Sequence, residues 1–293
     1  MATLDRFSHS TLTAQAVAAA VSVASAYDIK VDDPHILADA YSLRVHLRPA
    51  PIVARISTIT PILRAPIESW LAREISVVEF LASRGVPVIA PSDILPAIPY
   101  QFDGLFMSFW RYVQPASDVV PEAALVAEML AELHTILRDY PGELPFLAPP
   151  LNDIPNGLKR LYQASDRLPE SDLRLLQTTY DDLLCQITYS DDSLQPLHGD
   201  ANASNLIPTV EGLLWNDFED TCIGAIAWDL INLDDAARAA YPNAPDSATL
   251  EPYFKLRQLH AIVWVYALLP EFSGWLEPAR MMLDALRDRA NIG

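Results

Sequence analysis

Apolar side chains at Ile67, Trp70, Leu71, Val78 and Leu81 fall on one helical stripe, which predicts a helix from Ile67 to Leu81. Gly85 and Pro87 end it. Leu125, Val126, Met129, Leu130, Leu133, Ile136 and Leu137 trace the apolar face of a longer helix. Further helices are expected over Ser171–Ile187, Asp229–Arg238, Leu250–Leu269 and Leu276–Arg289. Strands read differently. Tyr41–Leu47 and Ile52–Ile59 are rich in β-branched and aromatic residues, and Pro49-Ala50-Pro51 punctuates them as a turn. A third strand, Leu105–Val113, follows a proline-rich connection from Pro87 to Pro99.

Near the N-terminus, Leu12–Ala26 carries no charge and ends in Ala24-Ser25-Ala26, which resembles a signal-peptide cleavage site. The segment is mostly Ala, Ser, Thr and Val, and its upstream basic residue, Arg6, follows Asp5. A surface or packing helix is the expectation. The longest strongly apolar run, Ala261–Leu269, is far short of the roughly 20 residues that span a bilayer.

The pattern changes near residue 114, from a strand-rich part (1–114) to a helix-rich part (115–293). Charge changes there too. The first part holds 9 basic and 10 acidic residues, the second 11 and 28, within a chain of 293 residues and net charge −18. Such a surface disfavours phosphate backbones and anionic lipid, so neither a nucleic-acid nor a membrane partner is expected. Two cysteines, Cys185 and Cys222, cannot build a disulfide framework or a thiolate zinc site. A cytoplasmic chain is the expectation.

Chemistry concentrates between residues 196 and 220. Glu211-Gly212 reads as a two-residue turn flanked by Leu206–Val210 and Leu213–Asp217. With Val210 facing Leu213, Leu206 faces Asp217, so Asn205 and Asp217 meet at the open end of the hairpin. An amide oxygen and a carboxylate there make a hard-oxygen site suited to Mg²⁺. Asp200, in the preceding loop, is placed to accept a proton beside that metal.

His198-Gly199-Asp200, with Asn205 five residues after the aspartate and Asp217 seventeen after it, resembles the catalytic loop and metal motif of the aminoglycoside phosphotransferase and choline kinase-like family. Trp228-Asp229-Leu230 resembles its downstream segment. The resemblance implies an α+β, two-lobed protein-kinase-like fold: a small lobe of antiparallel sheet plus helix over a mostly helical lobe, with ATP and Mg²⁺ between them. It implies Asp200 as the group receiving the acceptor's hydroxyl proton, Asn205 and Asp217 as metal ligands, and His198 as a brace for the loop. Such folds hold a cation on the third strand with a glutamate from the next helix, which points to Arg55 and Glu74. The adenine-reading hinge is expected near Ser108 and Trp110.

Two departures stand out. The family often carries lysine where Arg55 stands, and arginine is a planar fork rather than a point charge. The turn over the phosphates, Ala40-Tyr41-Ser42, lacks glycine, leaving Ser42 as its candidate contact. Asp229 is expected to cap helix amides, His134 to pack or face water, and Glu219 to approach the metal or be solvated. The acidic second part favours a cationic hydroxyl acceptor (an aminoglycoside, choline or amino alcohol), with Asp234, Asp235 and Glu271 as candidate carboxylates. A nucleotide-binding regulator without transfer activity is the alternative. A protein kinase is disfavoured, because only about ten residues separate Asp217 from Trp228.

Overall fold

The computed structural model describes residues 9–116, 121–164, 167–187, 194–269 and 275–292. Two compact units form: one from the chain up to Pro121 together with Ser204–Glu219, the other from Glu122–Ala203 and from Asp220 onward.

Helix α1 (His9–Ser25) opens the first unit, followed by β1 (Val31–Asp39), β2 (Leu43–Pro49), β3 (Ile52–Ser57), α2 (Ile67–Ser83), β4 (Tyr100–Phe102) and β5 (Leu105–Arg111). The strands form one antiparallel sheet in the order β1-β2-β3-β5-β4. Period-2 alternation sorts its faces. Leu43, Val45 and Leu47 of β2 and Ile52, Ala54 and Ile56 of β3 are fully buried. Arg44 and His46 share the other face with Val53 and Arg55, their cross-strand partners. Helix α2 buries the expected stripe and, within it, Glu74. Helix α1 lies against β1 and β2 through small side chains, Ala16, Ala19, Ala20 and Ala24.

Residues 204–219 return to this unit as a hairpin of β7 (Leu206–Thr209) and β8 (Gly212–Trp215), numbered along the chain. Its turn differs from the expectation. Thr209 pairs with Gly212 and Leu206 with Trp215, so Val210-Glu211 is the turn, and Leu206 does not face Asp217. Gly212, at φ +127, adopts a backbone few other residues tolerate, which anchors the register one position earlier. Trp215, 1% exposed, ties the hairpin down: its amide donates to Pro87 O at 2.8 Å and its carbonyl accepts from Ile89 at 3.0 Å.

The second unit holds α3 (Ala123–Leu137), α4 (Ala148–Gln163), α5 (Glu170–Gln186), β6 (Leu194–Leu197), β9 (Cys222–Ala225), α6 (Ala227–Leu230), α7 (Asp235–Ala240), α8 (Ser247–Leu268) and α9 (Leu276–Ile292). Helix α8 is its axis, packed by α4, α5, α6 and α9. The helix expected over Asp229–Arg238 is two pieces, because Asp234 interrupts it and restarts the chain as an N-cap, accepting from the Ala237 amide at 2.7 Å. Among the described residues no helix is long and apolar enough to cross a membrane.

Candidate active site

In the first unit a buried charge cluster forms around Arg55, which is 7% exposed. Arg55 Nη1 donates to Glu74 Oε1 at 2.6 Å, and Nη2 reaches Asp217 Oδ1 at 2.9 Å and Glu219 Oε2. One guanidinium thus joins β3 to α2 and to the segment after β8. Glu219 is not solvated. It is 2% exposed and also accepts from Arg64 Nη1 at 2.7 Å, which fits the rule that a buried carboxylate needs cations. Burial pushes the Glu74 carboxyl up to about 8, against the pull of Arg55 and with the push of Asp217 and Glu219. Its Oε2 is buried without a hydrogen-bond partner among the described residues.

Asn205 and Asp217 come together despite the shifted hairpin. The Asn216 amide donates to Asn205 O at 2.9 Å, so Asp217 is the next residue beyond that rung. Asp217 sits in the left-handed region, at φ +67, a strained backbone of the kind that clusters at functional sites. Its carboxylate carries two cations: Arg55 on Oδ1, and Arg44 Nη2 on Oδ2 at 2.7 Å. Hard oxygens from one amide and one carboxylate suit magnesium. No group of three or more His, Cys, Asp or Glu gathers for a metal among the described residues, so such an ion would take its remaining ligands from phosphate and water.

A cavity of about 290 Å³ opens beside this cluster, close to the lower end of ligand-pocket volumes. Leu37, Val53, Ile89 and Ile207 give it apolar walls, Arg44, Arg55 and Glu74 a charged end, and Trp110, Arg111, Tyr112 and Val113 a rim at the end of β5. All its lining residues belong to the first unit. Two expected contacts do not line it. Ser108 is fully buried, its Oγ accepting from Trp110 Nε1 at 2.8 Å. Ser42 is buried with its Oγ 3.4 Å from Arg55 Nε. Trp110 does line the cavity, on a rim that runs on through Val113. His46 stacks on Tyr112 with ring centroids 3.7 Å apart, which steadies that rim.

The second unit carries the Asp200 loop, which side chains from α6 hold rigidly. Asp229, fully buried, accepts from the His198 and Gly199 amides at 2.8 Å each and from His134 Nε2 at 2.9 Å. It therefore caps loop amides, not helix amides, and His134 is a buried partner, not a surface group. Burial would raise this carboxyl. The hydrogen bond and charge of His134, the charge of His198 and the Gly199 amide outweigh it and hold Asp229 below the ordinary aspartate value. Trp228 Nε1 donates to Gly199 O at 2.9 Å. Gly199 has φ +88, and a Cβ there would meet Asp220 O at 1.9 Å, so only glycine fits. His198, fully buried, accepts the Asp200 amide on Nδ1 at 3.3 Å. Asp200 keeps a partly exposed carboxylate, ion-paired with Arg257 of α8, whose guanidinium stacks 5.0 Å from the Trp228 ring.

Sequence reasoning did not find Arg44, Arg64 or Arg257. Arg44 alternates with Val45 in a strand that had been read, but its place opposite Arg55 depends on register. Among the candidate carboxylates for a cationic acceptor, Asp234 is an N-cap and Asp235 is an exposed partner of Arg238. Glu271 lies outside the described residues.

A sequence model of the phosphotransferase enzyme family matches residues 44–264. No curated protein matches the chain by sequence. Similar solved structures include a microcompartment-associated aminopropanol kinase (15% identity, covering 92% of this chain and 94% of that one, TM-score 0.63). The choline kinase LicA from Streptococcus pneumoniae is similar at 15% identity, with 92% and 99% covered and a TM-score of 0.58. The amicoumacin kinase hAmiN, solved with AMP-PNP and Ca²⁺, is similar at 12% identity, with 92% and 93% covered and a TM-score of 0.61. At these identities the likeness is one of fold: an antiparallel five-stranded sheet unit and a helical unit of the protein-kinase-like type.

Proposed function

Because the chain belongs to the phosphotransferase enzyme family, we propose that it moves the γ-phosphoryl group of ATP to a hydroxyl of a small molecule. The observation that carries this is the Arg55 guanidinium, which lines the cavity with Glu74 and holds both Glu74 and Asp217 at once. That trio is what a polyphosphate site needs: a cation, its anchor and a metal ligand.

In this reading adenine enters the cavity against Trp110 and reads the Val113 backbone, since the Arg111 and Tyr112 amides already donate to Ala90 O and Pro51 O. Asn205 and Asp217 would hold Mg²⁺, which would neutralise charge on the phosphate oxygens. The acceptor oxygen bonds to the γ-phosphorus as the bond to the β–γ bridging oxygen breaks. Its proton passes to the Asp200 carboxylate, and ADP leaves. His198 and Asp229 are positioning residues for that loop. The acceptor is an amine-bearing alcohol: the names of the aminopropanol and choline kinases fit the excess of acid over base in residues 115–293.

One observation favours a second reading, a nucleotide-binding regulator: Asp200 and Asp217 are both covered by arginines. ADP release from ATP, with and without Mg²⁺, across aminoglycosides, choline, amino alcohols and neutral sugars separates the two. Acceptor-dependent turnover that Asp200→Asn abolishes is the expected result. Magnesium-dependent ATP binding with no turnover on any acceptor would favour the regulator, and no ATP binding would sink both.

A further inference from the structure

Arg44 and Arg55 stand directly opposite each other on β2 and β3, an arrangement that costs energy unless anions lie between or beside the pair. The two differ in what already claims them. Arg55 is 7% exposed and carries Glu74, Asp217 and Glu219. Its fork is largely spent inside the protein. Arg44 has its side chain one-third exposed, lines the cavity, and has Asp217 as its ion-pair partner among the described residues. It is therefore the cation with reach, and it rests on the carboxylate that the proposed metal would need.

Resting on the kinase reading above, we propose that Arg44 is a polyphosphate-binding residue that occupies Asp217 in the nucleotide-free protein and exchanges that carboxylate for phosphate oxygens when nucleotide and metal arrive. The departure at β3 then has a physical account. A lysine offers a mobile point charge, whereas Arg55 is held as a strut by three carboxylates, and the mobile role passes to Arg44 on the neighbouring strand. Geometry supports the exchange. Arg44 holds Oδ2 of Asp217 and Arg55 holds Oδ1, so the carboxylate keeps one cation when the other leaves. A divalent ion on Asp217 would displace a guanidinium, and incoming phosphate would receive it.

The exchange makes two opposite demands on one variant. In Arg44→Gln, ADP with Mg²⁺ should bind at least about tenfold more weakly, the loss of one charge-assisted contact. Adenosine, which has no phosphate, should bind as in the wild type. Mn²⁺ alone, titrated calorimetrically into nucleotide-free protein, should bind several-fold more tightly, because its competitor for Asp217 is gone. Arg44→Lys should recover part of the ADP affinity, and guards against a variant that merely fails to fold. Unchanged ADP affinity in Arg44→Gln would overturn the proposal. So would an equal loss of adenosine and ADP binding, which marks a structural defect, or unchanged Mn²⁺ affinity. Wild-type protein that binds neither ADP nor adenosine would instead refute the kinase reading, leaving the two failures distinct.

Discussion

Replacing Asp229 with asparagine tests how the Asp200 loop is held. The carboxylate is fully buried and accepts three hydrogen bonds, at 2.8, 2.8 and 2.9 Å. Bonds to a charged acceptor contribute about 1.5–3 kcal/mol each, against about 0.5–1.5 for neutral ones. An asparagine oxygen in the place of Oδ2 keeps the His198 amide and His134, each weaker by about 1 kcal/mol. Its NH₂ then faces the Gly199 N–H, leaving a buried donor unpaired at a cost of about 1–3 kcal/mol. These losses sum to about 3–5 kcal/mol, in line with the cost of removing one partner from a buried charge pair. Urea unfolding at pH 7 measures it as a lowered midpoint at unchanged slope. The Asp229 value is depressed below 3.8, so its stabilisation is present above that pH and is lost as pH falls through the folded value. The gap between wild type and variant should be full at pH 7 and close in acid. A loss under about 1 kcal/mol at pH 7, or a gap that widens in acid, would refute the reasoning.

Gly199→Ala should cost more than a typical surface change, about 2–4 kcal/mol, and abolish ADP release, since both φ and the Asp220 carbonyl forbid a Cβ; activity near wild type would contradict this. Gly157 lets α4 approach α8 so closely that a Cβ would lie 2.5 Å from Val263 Cγ1. Gly157→Ala should lower stability by about 1–3 kcal/mol, and adding Val263→Ala should recover part of it; additive losses would count against the contact. Glu74, raised to about 8 from an ordinary 4.5, stabilises fully below the lower value and loses that contribution as pH rises through the upper one. Glu74→Gln should therefore flatten the decline in stability between pH 5 and 8, by at most about 1.4 kcal/mol per pH unit. Identical slopes would show that Arg55 keeps Glu74 ionised throughout. Chelation with EDTA should stop acceptor-dependent ADP release, and excess Mg²⁺ should restore it.

Elements with a strong period were legible in the sequence. The α2 stripe and the β3 alternation need only neighbours to be read, and Glu74 on the buried stripe already demanded a cation. Strand β1 was not legible, because most of it is exposed and its pairing to β2 is a backbone matter. Helix α4 hid behind Pro149, Pro150 and Pro155; the first two sit in its opening turn, where a missing N–H costs nothing. At the candidate site, His198, Asp200, Asn205 and Asp217 could be proposed from sequence because their spacing along the chain is itself the pattern. Arg44 and Arg257 could not, since one arrives by strand register and the other by the packing of α8. The hairpin turn was misjudged by one position because Glu211-Gly212 is good turn chemistry, and the local sequence holds no signal that Trp215 must reach Pro87.

The first unit is not a continuous piece of chain, and this matters to anyone who wants to recombine it. A graft of residues up to Pro121 onto a relative's helical half would leave behind Trp215, whose backbone completes the edge at Pro87 and Ile89. It would also separate Arg44 and Arg55 from Asp217 and Glu219, mixing cations of one parent with carboxylates of another. Chimeras should therefore exchange the stretch 204–219 along with the N-terminal segment, as a paired cassette. Substitutions in one stretch should call for compensating changes in the other, although more than eighty residues of chain lie between them.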